Sequence, residues 1–248
     1  MRYLVLTDIH ANLEALDACV AFALTRRFDA TLVLGDLVGY GPDPNEVIAH
    51  ILDLKPTAIV RGNHDKVASG IDQAEGFNIV AKIAAVWTLE TLTPANREWL
   101  AALPVGPTVV NDLIEICHGS PFDEDAYVVD ELDALRALRA AERPLCLFGH
   151  THWPVTFVWK ADDSLDAVDA SHSGESRLAL EAGARYLMNP GSVGQPRDGD
   201  SRAAFAIVDD EQRSVELYRL AYPVERTQTK IIRAGLPEVL ASRLAAGR

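Results

Sequence analysis

RYLVLTDIHANLEALDACVAFALTRRFDATLVLGD, residues 2–36, decides the fold. Its first six residues, RYLVLT (2–7), form an apolar run that reads as a buried strand. ANLEALDACVAFALTRR (11–27) then places apolar residues at helical spacing and ends on two arginines, which suit a helix C-terminus. TLVL (31–34) is a second strand, PNEVIAHILDL (44–54) a helix opened by proline, and TAIV (57–60) a third strand. Strands that are apolar throughout and alternate with helices imply βαβ units and parallel pairing.

Further along, helices are expected at 78–92 and 94–103. PTVV and LIEIC flank Asn111-Asp112, a hairpin turn, and a helix near 130–141 leads into the strand PLCLF (144–148). Beyond residue 153 the chain turns strand-rich: PVTFVW, RLAL, RYLM, AAFAIVD and SVELYRL. Two last helices lie near 226–234 and 237–246, with Gly235 and Pro237 between them. The polar stretch 161–176 reads as a surface loop. No linker divides the chain, so a single domain over 1–248 is expected, parallel strands first and antiparallel strands later.

Composition narrows the function. Apolar residues make up 48% and charged residues 24% of 248, ordinary for a water-soluble globular protein with a sizeable core. No apolar run approaches a membrane span or a signal-peptide core, so a cytoplasmic protein without membrane association is expected. Cys19, Cys117 and Cys146 lie in apolar runs without CxxC spacing and read as buried free thiols. The formal net charge of −13 opposes long polyanions, so no polymeric nucleic acid partner is expected. Small anions stay compatible if the site supplies its own positive charge.

The chemistry-bearing residues gather at strand ends. Asp8 and His10 follow the first strand, Asp36 the second, and Asn63, His64 and Asp65 the third. His118 follows LIEIC, while His150 and His152 follow PLCLF. Five of the seven histidines thus stand at C-terminal strand ends, the edge where open α/β sheets bind ligands. If GHTH were extended, His150 and His152 would point the same way, about 6.6 Å apart. Each turn alone has a structural explanation as a cap, a tight turn or a hydrogen-bonded histidine. Together they crowd so many carboxylates and imidazoles that a cation is needed among them.

DIH (8–10), GDLVG (35–39), GNHD (62–65), CHGS (117–120) and GHTH (149–152), in this order, resemble the calcineurin-like metallophosphoesterases. The likeness is strongest to small prokaryotic phosphodiesterases without a large cap, and NPGSVGQPRDGD (189–200) extends it. The resemblance implies an α/β fold, an αββα four-layer sandwich of two mixed β-sheets, with two divalent transition-metal ions at the strand ends. Manganese is the first expectation; Fe, Zn, Ni and Co fit oxygen and imidazole ligands equally. One ion would be held by Asp8, His10, Asp36 and His152, the other by Asp36, Asn63, His118 and His150. Seven ligands exceed a single tetrahedral structural site. A hydroxide bridging two ions about 3.5–4 Å apart would attack phosphorus, and His64 would serve as general acid over the substrate.

Two departures bear on the substrate. Gly39-Tyr40 stands where phosphoprotein phosphatases of this family carry Asp-Arg, so the acid supporting the histidine and an arginine gripping phosphate are missing there. Arg197 is a candidate replacement phosphate contact; Tyr40 could stack on a base or simply fill its loop. Asp65 could orient a neighbour or be an exposed turn residue. The reading is therefore a metallophosphoesterase of small phosphate esters, diesters first, with specificity carried by loops 66–77, 122–129 and 161–176. Phosphomonoesters and dinucleoside polyphosphates are alternative substrates. The alternative class is a silent scaffold protein of the same fold, disfavoured because His64 and every ligand position are filled. A homo-oligomer is compatible with the sequence.

Overall fold

The computed structural model describes residues 1–169 and 174–248. His172 and the middle of the 161–176 stretch lie outside the described residues. The N-terminal half follows the expected alternation: β1 (Arg2–Leu6), α1 (Leu13–Arg26), β2 (Ala30–Val33), α2 (Pro44–Leu54) and β3 (Ala58–Ile59). Next come α3 (Asn63–Ser69), α4 (Ile79–Thr91), α5 (Pro94–Ala101), β4 (Thr108–Val109), β5 (Ile114–Ile116), α6 (Glu131–Ala140) and β6 (Leu145–Leu147). The remainder is β7 (Val155–Trp159), β8 (Leu165–Asp169), β9 (Glu175–Ala179), β10 (Arg185–Asn189), β11 (Ala203–Asp209), β12 (Ser214–Leu220), α7 (Val224–Arg233) and α8 (Glu238–Ala246).

Among the described residues two sheets of six strands form, in the orders β3-β2-β1-β11-β12-β9 and β4-β5-β6-β10-β7-β8. Both are mixed: β1 pairs parallel with β2 and antiparallel with β11, while β6 lies parallel to both β5 and β10, and β10 antiparallel to β7. Strand alternation sorts each strand's side chains between two cores. Leu4 and Leu6 of β1 pack with Leu16 and Cys19 of α1 and with Ile48 of α2. Tyr3 and Val5 face the other way and meet Ile114, Leu145, Leu147 and Met188 of the second sheet. Cys146 and Phe148 on the far side of that sheet pack with Ala134 and Leu138 of α6. Helix, sheet, sheet, helix is the predicted four-layer sandwich, and each fully buried leucine contributes roughly 1.5–3 kcal/mol to it.

One expectation fails. The 161–176 stretch is no plain loop: LDAVD forms β8, an edge strand antiparallel to β7. Its pairing comes from β7, and an edge position tolerates aspartates that a central strand would not. Of the alternatives open for GNHD, a helix start is the one found: Asn63, His64 and Asp65 make the first turn of α3, a seven-residue helix capped by Gly62. Cys19, Cys117 and Cys146 are all free and buried, as expected. No helix among the described residues is long and apolar enough to cross a membrane.

Candidate metal centre

Every strand-end residue singled out from the sequence arrives at one edge of the sandwich. The first sheet supplies Asp8, His10, Asp36 and Asn63; the second supplies His118, His150 and His152. The loops that carry them are tight. Asp8, His10, Asp36, His150 and His152 all have φ between 49° and 68°, the left-handed region disfavoured for non-glycine residues. His150 and His152 are therefore not in an extended segment. They converge because two left-handed residues fold GHTH back on itself, not because side chains alternate along a strand.

Loop 189–195 knits the two sheets' ligand loops together. Val193 and Gly194 donate backbone hydrogen bonds to the carbonyls of Thr7 and Asp8, and the Ser192 hydroxyl donates to the Asp8 carbonyl. Asn189 donates to the Gly149 carbonyl at 2.7 Å and to the Thr151 hydroxyl at 2.9 Å. On the other side, Asp65 is fully buried and not an exposed turn residue. Its two carboxylate oxygens accept from the backbone N–H groups of Val38 (3.2 Å) and Gly62 (2.9 Å), joining the Asp36 loop to the start of α3.

Asp36 sits at the middle of the cluster. Its Oδ1 accepts the His64 backbone N–H at 2.9 Å, while Oδ2 lies 3.5 Å from both His10 Nε2 and His118 Nε2. Ligand atoms of Asp8, His10, Asp36 and His152 lie within 4.8 Å of one another, and so do those of Asp36, His118 and His150. Asn63 Oδ1 is 3.2 Å from His118 Nε2, beside the second group. His152 thus stands with Asp8 and His10, and His150 with His118, with Asp36 common to both groups.

The tautomers test whether a cation fits. The Nδ1 atoms of His10, His118 and His152 approach the carbonyls of Val38 (3.1 Å), Leu34 (2.8 Å) and Gln195 (2.6 Å). A carbonyl only accepts, so each Nδ1 carries hydrogen and each neutral ring turns a bare Nε2 into the cluster. Burial holds His10 and His152 well below the usual imidazole range, so both are neutral. Their Nε2 atoms nevertheless face each other at 3.1 Å, two lone pairs with no proton between them. His150 Nε2 is buried without a hydrogen-bond partner among the described residues. This donor set, nitrogen and oxygen atoms with imidazoles oriented by backbone carbonyls, suits divalent transition metals.

Charge agrees. Burial pushes the Asp8 carboxyl up to about 7, with Asp36 adding to the rise. His118 goes the other way: burial disfavours its charge, but Asp36 and Asp8 overcome that and raise it to about 10. Without further cations, one buried imidazolium is left to balance two buried carboxylates.

His64 stands beside the cluster rather than in it. Its ring packs against Tyr40 (4.3 Å between centroids), Phe77 (4.6 Å) and His10 (4.9 Å). A Cβ on Gly39, where φ is +89°, would come within 2.4 Å of His64 Nδ1, so glycine is required on both counts. No acid replaces the missing partner: Nδ1 is buried and unpaired among the described residues, and burial lowers the ring to about 4. Tyr40 is itself buried and walls His64 and His10. Arg197 Nη2 lies 3.4 Å from the Tyr40 hydroxyl, and both residues line a cavity of ≈ 80 Å³ with Asp36, Asn63, His64 and His150. Sequence reasoning missed two of its walls, Phe77 and Tyr127, although it named their loops. The Tyr127 ring lies 3.9 Å from that of His150.

Residues 1–213 match the calcineurin-like phosphoesterase superfamily domain. The chain belongs to that superfamily. A crystal structure of a metallophosphoesterase from Sphaerobacter thermophilus is 37% identical, covers 100% of both chains and superimposes with a TM-score of 0.87. An uncharacterized protein of Methanocaldococcus jannaschii is 34% identical over 249 residues, 98% of this chain and 97% of its own. A hypothetical protein from Pyrococcus horikoshii, 23% identical over 100% of this chain and 98% of its own, shares the fold with a TM-score of 0.79. Family membership and the His/Asp cluster agree on a divalent metal site.

Proposed function

We propose that the protein hydrolyses small phosphate esters, diesters in preference to monoesters, at a two-metal centre. One observation carries the reading: Asp36 Oδ2 is equidistant from His10 Nε2 and His118 Nε2, so one carboxylate serves two ligand groups. Asp8, His10, Asp36 and His152 would hold one ion; Asp36, Asn63, His118 and His150 the other. When bound, two divalent ions supply Lewis acidity at the phosphoryl oxygens and a lowered pKa for water. Manganese is the proposed metal.

The chain's own groups do the rest. The carbonyls of Val38, Leu34 and Gln195 fix three imidazoles with Nε2 aimed inward, bare in neutral His10 and His152 and freed in His118 when a cation replaces its second proton. The His64 backbone N–H holds Asp36 Oδ1, leaving Oδ2 to be shared. His64, neutral at pH 7 in the absence of substrate, offers one ring N–H to the phosphate. Transfer of a proton to the leaving oxygen requires the substrate's negative charge to raise that ring from about 4. Arg197, on the same cavity wall, gives a phosphate contact where Gly39-Tyr40 offers none.

The acidic chain carries no basic track for a polymer, and the cavity is small. Protein loaded with manganese should therefore cleave a small diester with higher kcat/KM than a phosphopeptide or polymeric DNA at matched salt. A phosphopeptide preferred over every small diester would overturn the substrate class.

A further inference from the structure

Beyond Tyr127 the surface opens into a groove of ≈ 480 Å³ lined by Tyr127, Val129, Thr151, Trp153, Val155 and Phe157 among others. Among the described residues no charged side chain lines it. Three of its residues hold large apolar surfaces in water: Val129 is 70% exposed, Tyr127 53% and Trp153 44%. Such a contiguous apolar concavity marks a binding surface, and its volume lies within the range of about 300–1,000 Å³ usual for small-ligand sites. It is also continuous with the metal centre. Tyr127 walls both cavities, its ring lies 3.9 Å from that of His150, and Thr151 stands between His150 and His152.

The geometry points to this groove as the seat of a planar, uncharged ring borne by the substrate's ester group, a role that rests on the phosphoesterase reading above. Tyr127 lines both the cavity beside His150 and the groove, so an ester substituent on a phosphoryl group held beside His150 has the groove as its neighbouring space. The lining among the described residues offers no cation to a second phosphate or a sugar acid. Two aromatic side chains at the rim, Tyr127 and Trp153, favour a flat ring over an alkyl chain, because aromatic faces and edges attract one another beyond their buried area.

Binding of phosphonates, which carry no cleavable ester, tests the groove without turnover. Calorimetry on manganese-loaded protein should show 2-naphthylmethylphosphonate binding roughly tenfold tighter than methylphosphonate. Trp153→Ala and Val129→Asp should each reduce that ratio to below about threefold with metal content unchanged. An adenine-bearing alkylphosphonate separates the two sources of such a ring, binding tighter than the naphthyl compound if nucleobases are preferred and weaker if plain arenes are. Equal affinity for the naphthyl and methyl compounds, or tightest binding of decylphosphonate, overturns the assignment. Turnover of methyl 4-nitrophenyl phosphate by the same preparation reports separately: its absence, with the ring preference intact, refutes the phosphoesterase reading alone.

Discussion

Asp36 divides its two oxygens between unlike tasks, one to the His64 backbone and one to both ligand groups, so its loss has consequences different from those of its neighbours. Asp36→Asn should lower metal occupancy in both groups, whereas His152→Ala should chiefly empty one; elemental analysis after manganese loading distinguishes the two. The His64 ring packs on His10 but lends no ligand atom to either group, so His64→Ala should retain both ions and lose about 10²–10⁴ in turnover. The loss should shrink for nitrophenolate, which leaves without a proton; an equal loss across leaving groups would make His64 a positioning residue only. These identities were legible because the residue types are rare and sit at fixed offsets from strand ends. Their conformation was not. The left-handed turn at His150 and His152, and the packing of Tyr40 and Phe77 on His64, arise from neighbours distant in the chain.

Among the elements, α3 is the one on which the site leans most heavily. It is only seven residues long, and its cap, Gly62, has no side chain to announce it. A Cβ at Gly62 would stand 2.1 Å from Asp36 Oδ1 and 2.4 Å from the Asp36 backbone nitrogen. The φ of −106° is ordinary, so the constraint is steric and not conformational. Gly62→Ala should therefore displace the shared carboxylate and weaken metal binding by about 10–100-fold, the usual cost of disturbing a ligand's support. A titration of bound manganese checks this, and unchanged affinity would show that the Asp36 loop adjusts freely. The long amphipathic helices and apolar strands were readable from periodicity, because they bury a whole face. α3 and β8 were not: one is too short for a periodic signal, and the other is an edge strand made by its partner β7.

Over the whole molecule, the parallel half was readable in chain order, but the pairing of late strands with early ones was not. β11 inserts beside β1, and β10 beside β6, so strands made last complete both sheets. Loop 189–195 follows the same rule, tying Thr7 and Asp8 to the turn that carries His150 and His152. All seven proposed ligands lie from Asp8 to His152, and His10 and His118 are oriented within that span by Val38 and Leu34, but the carbonyl that orients His152, that of Gln195, and the Ser192 hydroxyl on the Asp8 carbonyl arrive later. On the ribosome, then, the emerging protein carries its full set of ligands well before it has a site. Nascent chains stalled after Leu180 should take up no manganese tightly, and those stalled with Leu220 clear of the exit tunnel should, as read by the loss of the free-ion signal in electron spin resonance. Uptake by the shorter chain would mean that the ligand loops organise without their C-terminal brace. Metallation would in this sense be a late event of synthesis, which would confine competition among metals to the finished fold rather than to a chain still searching for it.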